Sequence, residues 1–203
     1  MATVVEGDFE WDSAKATKNL AKHGVSFPEA ATVFADPQAL YIDDGSGTDR
    51  VLVIGTSLRD RVLCVVHVQR GERDRIISAQ PRDARRATGL RDGRNGMKQS
   101  AQGKRHSETE PVRVLGRGLR AKRGVRMTFR ALRAAAGKTQ TDVAKAAHMD
   151  QADVSRLERK TDFDDCEVAT LRKYIESLGG ALQIVAVFGD KKIAVAGVEP
   201  TRG

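Results

Sequence analysis

The stretch "TQTDVAKAAHMDQADVSRLERK", residues 139–160, holds two short helical patterns with only "AHMD" between them. Val143 and Ala147 fall on one face of the first pattern, and Val154 and Leu157 fall on one face of the second. Two short helices joined so closely have the spacing of a helix-turn-helix. In that motif the first helix lies across the DNA backbone and the second enters the major groove.

Helical periodicity extends to both sides of this pair, from Thr128 to Leu178. Residues typical of helix ends divide the region into four helices. Gly137 ends the first, Thr139 can cap the second, Asp150 can cap the third, and Gly179-Gly180 stops the fourth. The sequence therefore predicts an all-α domain over residues 127–180.

The core, capping and polar residues of this domain all match one known sequence pattern. The region from about 128 to 178 resembles the Cro/CI (Xre) family of helix-turn-helix proteins, "TQxxVAxxxxxxQxxVSRLE". The matching residues are Gln140, Val143, Ala144, Val154, Ser155, Leu157 and Glu158. Ala144 suits a tight helix crossing, where a larger side chain would push the recognition helix away. The resemblance implies a regulator that binds double-stranded operator DNA.

The third helix carries the expected base contacts, because its apolar side fixes which residues face outward. Gln151 can bond adenine, Arg156 can bond guanine, and Ala152 can meet a thymine methyl group. By resemblance, the backbone N–H of Gln140 is a phosphate contact. The predicted DNA-binding set is Thr139, Gln140, Asp150, Gln151, Ala152, Ser155, Arg156 and Arg159.

Two alternatives remain for this helix. Asp153 would be repelled by phosphates, so it either accepts from a cytosine amino group or, as we expect, pairs with an Arg. Short helices around a small core also occur in enzymes and interaction modules, where Arg156 would be only a solvated surface charge.

After Gly180 the apolar period changes from helical to alternating. "ALQIVAVF", "GDK" and "KIAVAG" predict a β-hairpin with a tight Gly-Asp turn within residues 181–203. Two strands alone are marginally stable, so we expect the hairpin to pair with its copy in a homodimer. A dimer would present two recognition helices to half-sites about one DNA turn apart. Antitoxin-type members of the helix-turn-helix group resemble this arrangement.

The first 88 residues follow a different order. "WDSAKATKNLAKHG" predicts a helix begun by Asp12 or Ser13 and closed by Gly24, and "SFPEAATVFAD" predicts a second, capped by Ser26. Three strands follow, "RVLVIGTS", "RVLCVVHVQR" and "RDRIISAQ", in an antiparallel meander. The prediction is an α+β domain of two helices on a three-stranded sheet.

This domain resembles the BrnT family of ribonuclease toxins, which share the small RelE-like fold. The matching residues are Trp11, Asp12, Lys15, Asn19, Lys22, His23, Gly24, Phe27, Glu29, Ala30, Val33, Phe34, Asp36, Pro37, Ile54, Gly55, His67, Arg70, Gly71, Arg75, Ile76, Ile77, Ser78 and Ala79. The resemblance implies a metal-independent endoribonuclease, so RNA is a possible partner. No cofactor and no metal are expected.

Cleavage of RNA without a metal needs a base, an acid and cations that stabilise the phosphorane. The candidate catalytic residues are Lys22, His23, His67, Arg70 and Arg75, and Arg73 adds a further cation. Alternation along its strand places His67 with Leu63 and Val65, so it is either catalytic or a hydrogen-bonded core histidine. Lys22 and His23 close a helix, where a cation also offsets the helix dipole.

The sequence departs from the BrnT pattern after "IISA". Family members usually continue with Arg and a charged helix, whereas here Gln80 and Pro81 come first. This departure puts the toxin's last helix and a cation in doubt. A frame change or a fusion of neighbouring genes would produce such a junction, and Met97 and Met127 fit former start sites of a separate antitoxin.

Residues 89–126 carry the whole charge excess of a chain whose formal net charge is +8. The segment has eleven Lys and Arg against three Asp and Glu, while the remainder has 24 of each sign. Its glycines and lack of apolar periodicity predict a flexible basic linker, which either contacts phosphates or serves as a solvated tether. No apolar run suggests a membrane span or signal peptide, so a cytoplasmic protein is expected. Cys64 and Cys166 lack metal or disulfide spacing.

Three hypotheses follow. The first is a sequence-specific DNA-binding regulator of the toxin-antitoxin type, autorepressing, whose toxin-like domain is damaged or restrained. The second is a ribonuclease toxin of a type II system with a built-in antitoxin. In the third, the toxin-like domain serves only as a docking surface for other chains, such as a cognate toxin or antitoxin.

Overall fold

The computed structural model describes residues 2–43, 48–82, 113–121, 124–189 and 191–195. The chain divides into two compact units, here called unit 1 (residues 1–128) and unit 2 (residues 129–203). Among the described helices, none combines the length and the apolar character that crossing a membrane requires.

A seven-stranded sheet is the frame of unit 1, in the order β1-β2-β6-β5-β4-β3-β7. Only the β2–β6 pair is parallel, and the other neighbours are antiparallel. The strands are β1 (Thr3–Glu6), β2 (Phe9–Asp12), β3 (Leu40–Asp43), β4 (Arg50–Thr56), β5 (Val62–Arg70), β6 (Arg73–Pro81) and β7 (Val114–Arg117).

Two helices of unit 1 begin and end where their sequence signals predict. Helix α1 is Ser13–His23, with Asp12 as N-cap and the left-handed Gly24 after its end. Helix α2 is Phe27–Thr32, capped by the Ser26 hydroxyl and continued by a 3-10 turn, Val33–Ala35. Both predicted helices are confirmed.

The core of unit 1 is built from the alternating faces of the strands and the aromatic residues beside them. In β5 the buried residues alternate with half-buried ones, which places Leu63, Val65 and His67 on the inner face as predicted. Phe34 packs edge-on against Phe9, with ring centroids 5.1 Å apart. The buried Asn19 amide donates to the Ala79 carbonyl and so joins α1 to β6.

The three predicted strands are confirmed as β4, β5 and β6, but the prediction of a three-stranded sheet is wrong. Strands β1, β2, β3 and β7 span only four residues each, which is too short for a period of two to stand out. Strand β7 also lies inside the predicted linker 89–126. Because β7 pairs with β3, the described end of that segment belongs to the sheet rather than to a tether. Residues 89–112, 122 and 123 of the predicted linker lie outside the described residues.

Unit 2 contains the four predicted helices. They are α3 (Phe129–Ala135), α4 (Gln140–Ala147), α5 (Gln151–Arg159) and α6 (Val168–Ser177). Their core combines Val143, Ala144, Val154, Leu157 and Tyr174. The predicted hairpin is confirmed as β8 (Val185–Phe188) antiparallel to β9 (Lys191–Ala194). Gly189 is left-handed as a tight turn requires, and Asp190 lies outside the described residues.

Candidate functional site

The α4–α5 pair is fixed by a cap at its start and a left-handed turn between its helices. The Thr139 hydroxyl accepts from the Asp142 amide while the Asp142 carboxylate accepts from the Thr139 amide, a reciprocal capping box. His148 ends α4 in the left-handed region, with φ 52°. Asp150 is the N-cap of α5 as predicted, but its carboxylate makes no cap hydrogen bond. These local contacts turn the chain from α4 into α5.

A buried carboxylate, Glu158, joins the helices of unit 2. It accepts from Arg133 Nε at 2.6 Å and Nη2 at 2.9 Å, from Gln140 Nε2 at 2.9 Å and from the Tyr174 hydroxyl at 2.7 Å. Burial opposes ionisation of Glu158, but these hydrogen bonds and the Arg133 charge outweigh it and lower its pKa. Burial and Glu158 together raise the pKa of Tyr174. The network therefore holds α5 in one orientation against α3, α4 and α6.

The outer face of α5 is available to a ligand. Val154 and Leu157 are buried, as predicted, and Gln151, Ala152 and Arg156 are exposed. Of the other predicted contacts, Thr139, Asp150 and Arg159 are exposed, whereas Gln140 and Ser155 are half-buried.

The predicted pairing of Asp153 with an arginine is confirmed. Its carboxylate pairs with the Arg156 guanidinium one helical turn away, and both side chains reach solvent, at 45% and 67% exposure. The hydrogen bond and charge of Asp153 raise the pKa of Arg156, which stays cationic. An exposed pair of this kind contributes little to stability, so a phosphate or a base edge can displace Asp153 from Arg156.

Gln140 is not free to point its side chain at a ligand. Its amide donates to Glu158, so the side chain links α4 to α5. Its backbone N–H, at the first position of α4, remains suited to a phosphate oxygen as the sequence predicts.

The hairpin presents apolar side chains to solvent. Val187, Phe188 and Ile193 are 62%, 65% and 53% exposed, and Val185 and Val195 are also exposed. A cluster of this kind on a two-stranded hairpin is typical of an interaction surface.

In unit 1, His67 lies at the inner side of β5 with 6% exposure. Its ring packs edge-on against Phe34, with centroids 4.8 Å apart. Its Nδ1 is 3.1 Å from Asp74 Oδ1, a distance that suits an ion pair. The direction does not suit a hydrogen bond, and within the described residues neither ring nitrogen makes one. In this respect His67 differs from the hydrogen-bonded core histidine that was one of its two predicted roles.

The other candidate catalytic residues have separate environments. Lys22 is exposed and His23 half-buried in the last turn of α1. Arg70 is exposed at the end of β5, and Arg75 pairs with Glu10 at 2.9 Å. Within the part of the chain that the structure describes, no ion pair or hydrogen bond joins any of these four to His67, which instead has Asp74 and Arg120 near it.

The sequence analysis did not predict that Asp8, Asp74 and Arg120 lie together at this place. Arg120 lies 3.0 Å from the buried Asp8 carboxylate and 3.5 Å from that of Asp74. A cavity of about 200 Å³ beside His67 is lined by Asp74 and, from the segment after β7, by Leu119 and Arg120. The sequence carried no signal for this group, since Arg120 lies more than forty residues along the chain from either acid.

Two known protein families match different parts of the chain. Residues 11–87 match a family model described as the ribonuclease toxin BrnT of a type II toxin-antitoxin system. Residues 118–187 match a model described as a helix-turn-helix domain. The chain thus joins a BrnT-type toxin region to a helix-turn-helix domain.

Two curated proteins of Mycobacterium tuberculosis are similar to the second part. "Putative antitoxin HigA2" is 45% identical over 68 residues, which are 34% of this chain and 66% of that protein. "Putative antitoxin HigA3" is 44% identical over 54 residues, 27% of this chain and 49% of that protein. The chain therefore spans about two thirds and about half of the length of these relatives.

Solved structures resemble each part. A DNA-bound HigA3 antitoxin is 39% identical, with 34% of this chain and 90% of that chain covered and a TM-score of 0.31. The ribonuclease toxin BrnT of Brucella abortus is 26% identical, with 36% and 92% covered and a TM-score of 0.31.

Proposed function

From a chain that joins a BrnT-type toxin region to a helix-turn-helix domain, we propose a sequence-specific DNA-binding regulator of the toxin-antitoxin type. In this proposal α4 and α5 bind operator DNA and repress the chain's own promoter, and the toxin-like region is restrained. The observation that carries it is the outer face of α5. Gln151, Ala152 and Arg156 are exposed there, while Val154 and Leu157 are buried on the opposite side and Glu158 holds the helix through its hydrogen bonds.

Each exposed residue of that face suits a base edge in the major groove. Gln151 can bond adenine with donor and acceptor together, and Arg156 can bond guanine through two N–H groups, each pair discriminating by ~1–3 kcal/mol. Ala152 can meet the methyl group of thymine. The α4 N-terminus, including the Gln140 amide, would contact phosphate and fix the register without reading sequence.

Arg156 has an additional role in specificity under this proposal. In the free protein its guanidinium pairs with the Asp153 carboxylate. When DNA binds, the guanidinium would leave that carboxylate and contact a base or a phosphate instead. Asp153 also opposes non-specific binding, because its negative charge faces any phosphate that approaches this face.

We further propose that the protein binds as a homodimer through the hairpin. The exposed apolar side chains of β8 and β9 would be buried against their copies, and two recognition helices would reach half-sites of one operator. Phe188→Asp is the test, because the introduced carboxylate would face its copy in the second hairpin and repel it. Sedimentation equilibrium should then give a monomer, with Lys191→Glu as the control that leaves the apolar cluster intact.

The experiment for DNA binding compares the chain's own promoter with a scrambled duplex of equal length at moderate salt. Fluorescence anisotropy should give tighter binding to the promoter. Arg156→Ala should reduce that preference, while Arg130→Ala, which removes an equal charge from an exposed position on α3, should keep it. Equal affinity of the wild-type chain for both duplexes would refute the proposal.

A second candidate function is RNA cleavage by unit 1, and His67 is the observation that favours it. Its imidazole lies beside the Asp74 carboxylate and lines a cavity, and an imidazole is the side chain that most often transfers a proton in catalysis. Incubation of the intact chain with RNA tests this. Cleavage that His67→Ala abolishes would support it, and RNA that stays intact at every protein concentration would contradict it.

A further inference from the structure

One segment of the chain lies along the edge of β3 that is not paired with β4 in unit 1. We call residues 113–121 and 124–128 the arm. Its strand β7 pairs antiparallel with β3, and the Gly118 amide donates to the Ala39 carbonyl at 2.8 Å. The Asp43 amide donates to the Arg113 carbonyl at 3.0 Å. The arm thus binds through its backbone, as an extended peptide adds a strand to a sheet edge.

The arm also supplies the cations that two buried carboxylates lack. Asp8 is 4% exposed and Asp74 is 6% exposed. Arg120 lies within ion-pair distance of both, and Arg126 Nε lies 2.8 Å from Asp8 Oδ1. Burial opposes ionisation of Asp8, but the hydrogen bonds of Arg126 and the charges of Arg120 and Arg126 lower its pKa. A buried carboxylate without its cation is strongly destabilising, so this pair of acids is complete only with a basic segment in place.

The arm lines part of the cavity beside His67. Leu115, Leu119 and Arg120 are its contribution, and Phe34, Tyr41 and Asp74 line the cavity from the remainder of unit 1. His67 itself lines this cavity and is only 6% exposed, so the arm lies over its side of the pocket.

The fit between arm and sheet leaves no room for side chains at two positions. A Cβ on Gly118 would lie 2.3 Å from the Pro37 carbonyl oxygen, and a Cβ on Gly7 would lie 2.1 Å from that of Arg126. By contrast, a Cβ on Gly124 would meet nothing within 4 Å. The backbone of the arm therefore approaches the sheet so closely at Gly118 that only glycine fits there.

We propose that this face of unit 1 is a binding groove for an extended basic peptide segment, and that the arm fills it in cis and closes the His67 pocket. The groove recognises a strand that carries glycine two residues before an arginine, with the arginine placed between Asp8 and Asp74. This inference concerns the regulation of the second candidate function. Its test measures the accessibility of His67 and neither RNA cleavage nor DNA binding. A negative result here would therefore be distinguishable from failure of either proposed function.

The experiment compares the intact chain with Gly118→Ala, Arg120→Ala and the control Gly124→Ala. Gly118 and Gly124 both have a left-handed backbone, so they share the strain of an added Cβ and differ in the clash with Pro37. Amide exchange reports whether β7 is released. Modification by diethyl pyrocarbonate, followed by peptide mass spectrometry, reports access to His67, with the exposed His148 as internal reference.

We expect Gly118→Ala and Arg120→Ala to speed amide exchange in β7 and to raise the modification rate of His67 at least about tenfold, because buried groups react through local opening. Gly124→Ala shares the backbone strain without the clash, so it should change both rates much less than Gly118→Ala does. A synthetic peptide of residues 113–128 should restore the protection of His67 in Gly118→Ala, and the same peptide with Arg120→Glu should not.

Two results would overturn the proposal. One is release of β7 without any gain in His67 modification, since the arm would then not cover the pocket. The other is unchanged exchange in β7 in both variants, since the named contacts would then not hold the arm. Arg120→Ala adds no Cβ and keeps the backbone contacts, so it supplies the answer if Gly118→Ala does not fold.

Discussion

Replacement of Glu158 by alanine is expected to destabilise unit 2 selectively. The change removes a carboxylate that accepts four hydrogen bonds and leaves the Arg133 guanidinium, only 15% exposed, without its counter-charge. Breaking a buried ion pair from one side costs about 3–5 kcal/mol. Arg133 keeps one hydrogen bond, to the Lys138 carbonyl, so we expect the lower end of that range, about 3 kcal/mol.

Urea unfolding of the intact chain can separate the two units. Trp11 is the one tryptophan of the sequence and is buried in unit 1, so its fluorescence follows that unit. Ellipticity at 222 nm is weighted towards unit 2, which contains four of the described helices. With a urea slope of about 1–3 kcal/mol per molar, a loss of about 3 kcal/mol moves the midpoint by at least about 1 M.

The control is Asp153→Asn, which removes a carboxylate from an exposed ion pair on the same helix. We expect its midpoint at 222 nm to stay close to wild type, because exposed pairs contribute little. If Glu158→Ala moved the midpoint no further than Asp153→Asn does, the argument that Glu158 holds α5 in place would be refuted. An equal shift of the Trp11 transition would also refute it.

Three further predictions follow from contacts in each unit. Because folding lowers the pKa of Glu158, its ionised carboxylate should stabilise unit 2 fully above its unfolded pKa of about 4.3. This stabilisation should be lost as the pH falls through the lower folded pKa. Acid unfolding followed at 222 nm should show this pH-dependent loss in the wild-type chain and lack it in Glu158→Gln. Asn19→Ala should destabilise unit 1 by about 3 kcal/mol in the Trp11 transition, because it leaves groups of Val25 and Ala79 unbonded, and Thr17→Ala at an exposed position should not. Ala144→Leu should cost about 1–3 kcal/mol by overpacking the α4–α5 crossing, and a 222 nm midpoint equal to wild type would contradict that.

Local signals in the sequence were sufficient for the helices and for the longer strands. Asp12, Ser26 and Thr139 begin helices because their side chains satisfy free amides within three residues, which is information contained in a few positions. Strands β4 to β6 have seven to nine residues, enough to display an alternating face. The outward face of α5 followed from the same kind of periodicity.

Contacts between distant parts of the chain could not be read in this way. Strand β7 lies in a segment whose basic, glycine-rich composition is typical of a linker, and only pairing with β3 makes it a strand. The neighbourhood of His67 depends on Asp74 and Arg120, which no spacing rule connects. Alternation placed His67 on the buried face, but its unbonded nitrogens follow from tertiary geometry alone.

The central claim is that the exposed side of α5 reads base sequence, and a base-by-base binding profile tests it most directly. Affinities of the wild-type chain and Arg156→Ala would be measured for the promoter and for each single base-pair change in it, at one fixed salt concentration. We predict that Arg156→Ala loses ~1–3 kcal/mol of discrimination at one position of each half-site and keeps the remainder of the profile. A profile that weakens equally at every position would contradict the claim, because it would make Arg156 a phosphate contact.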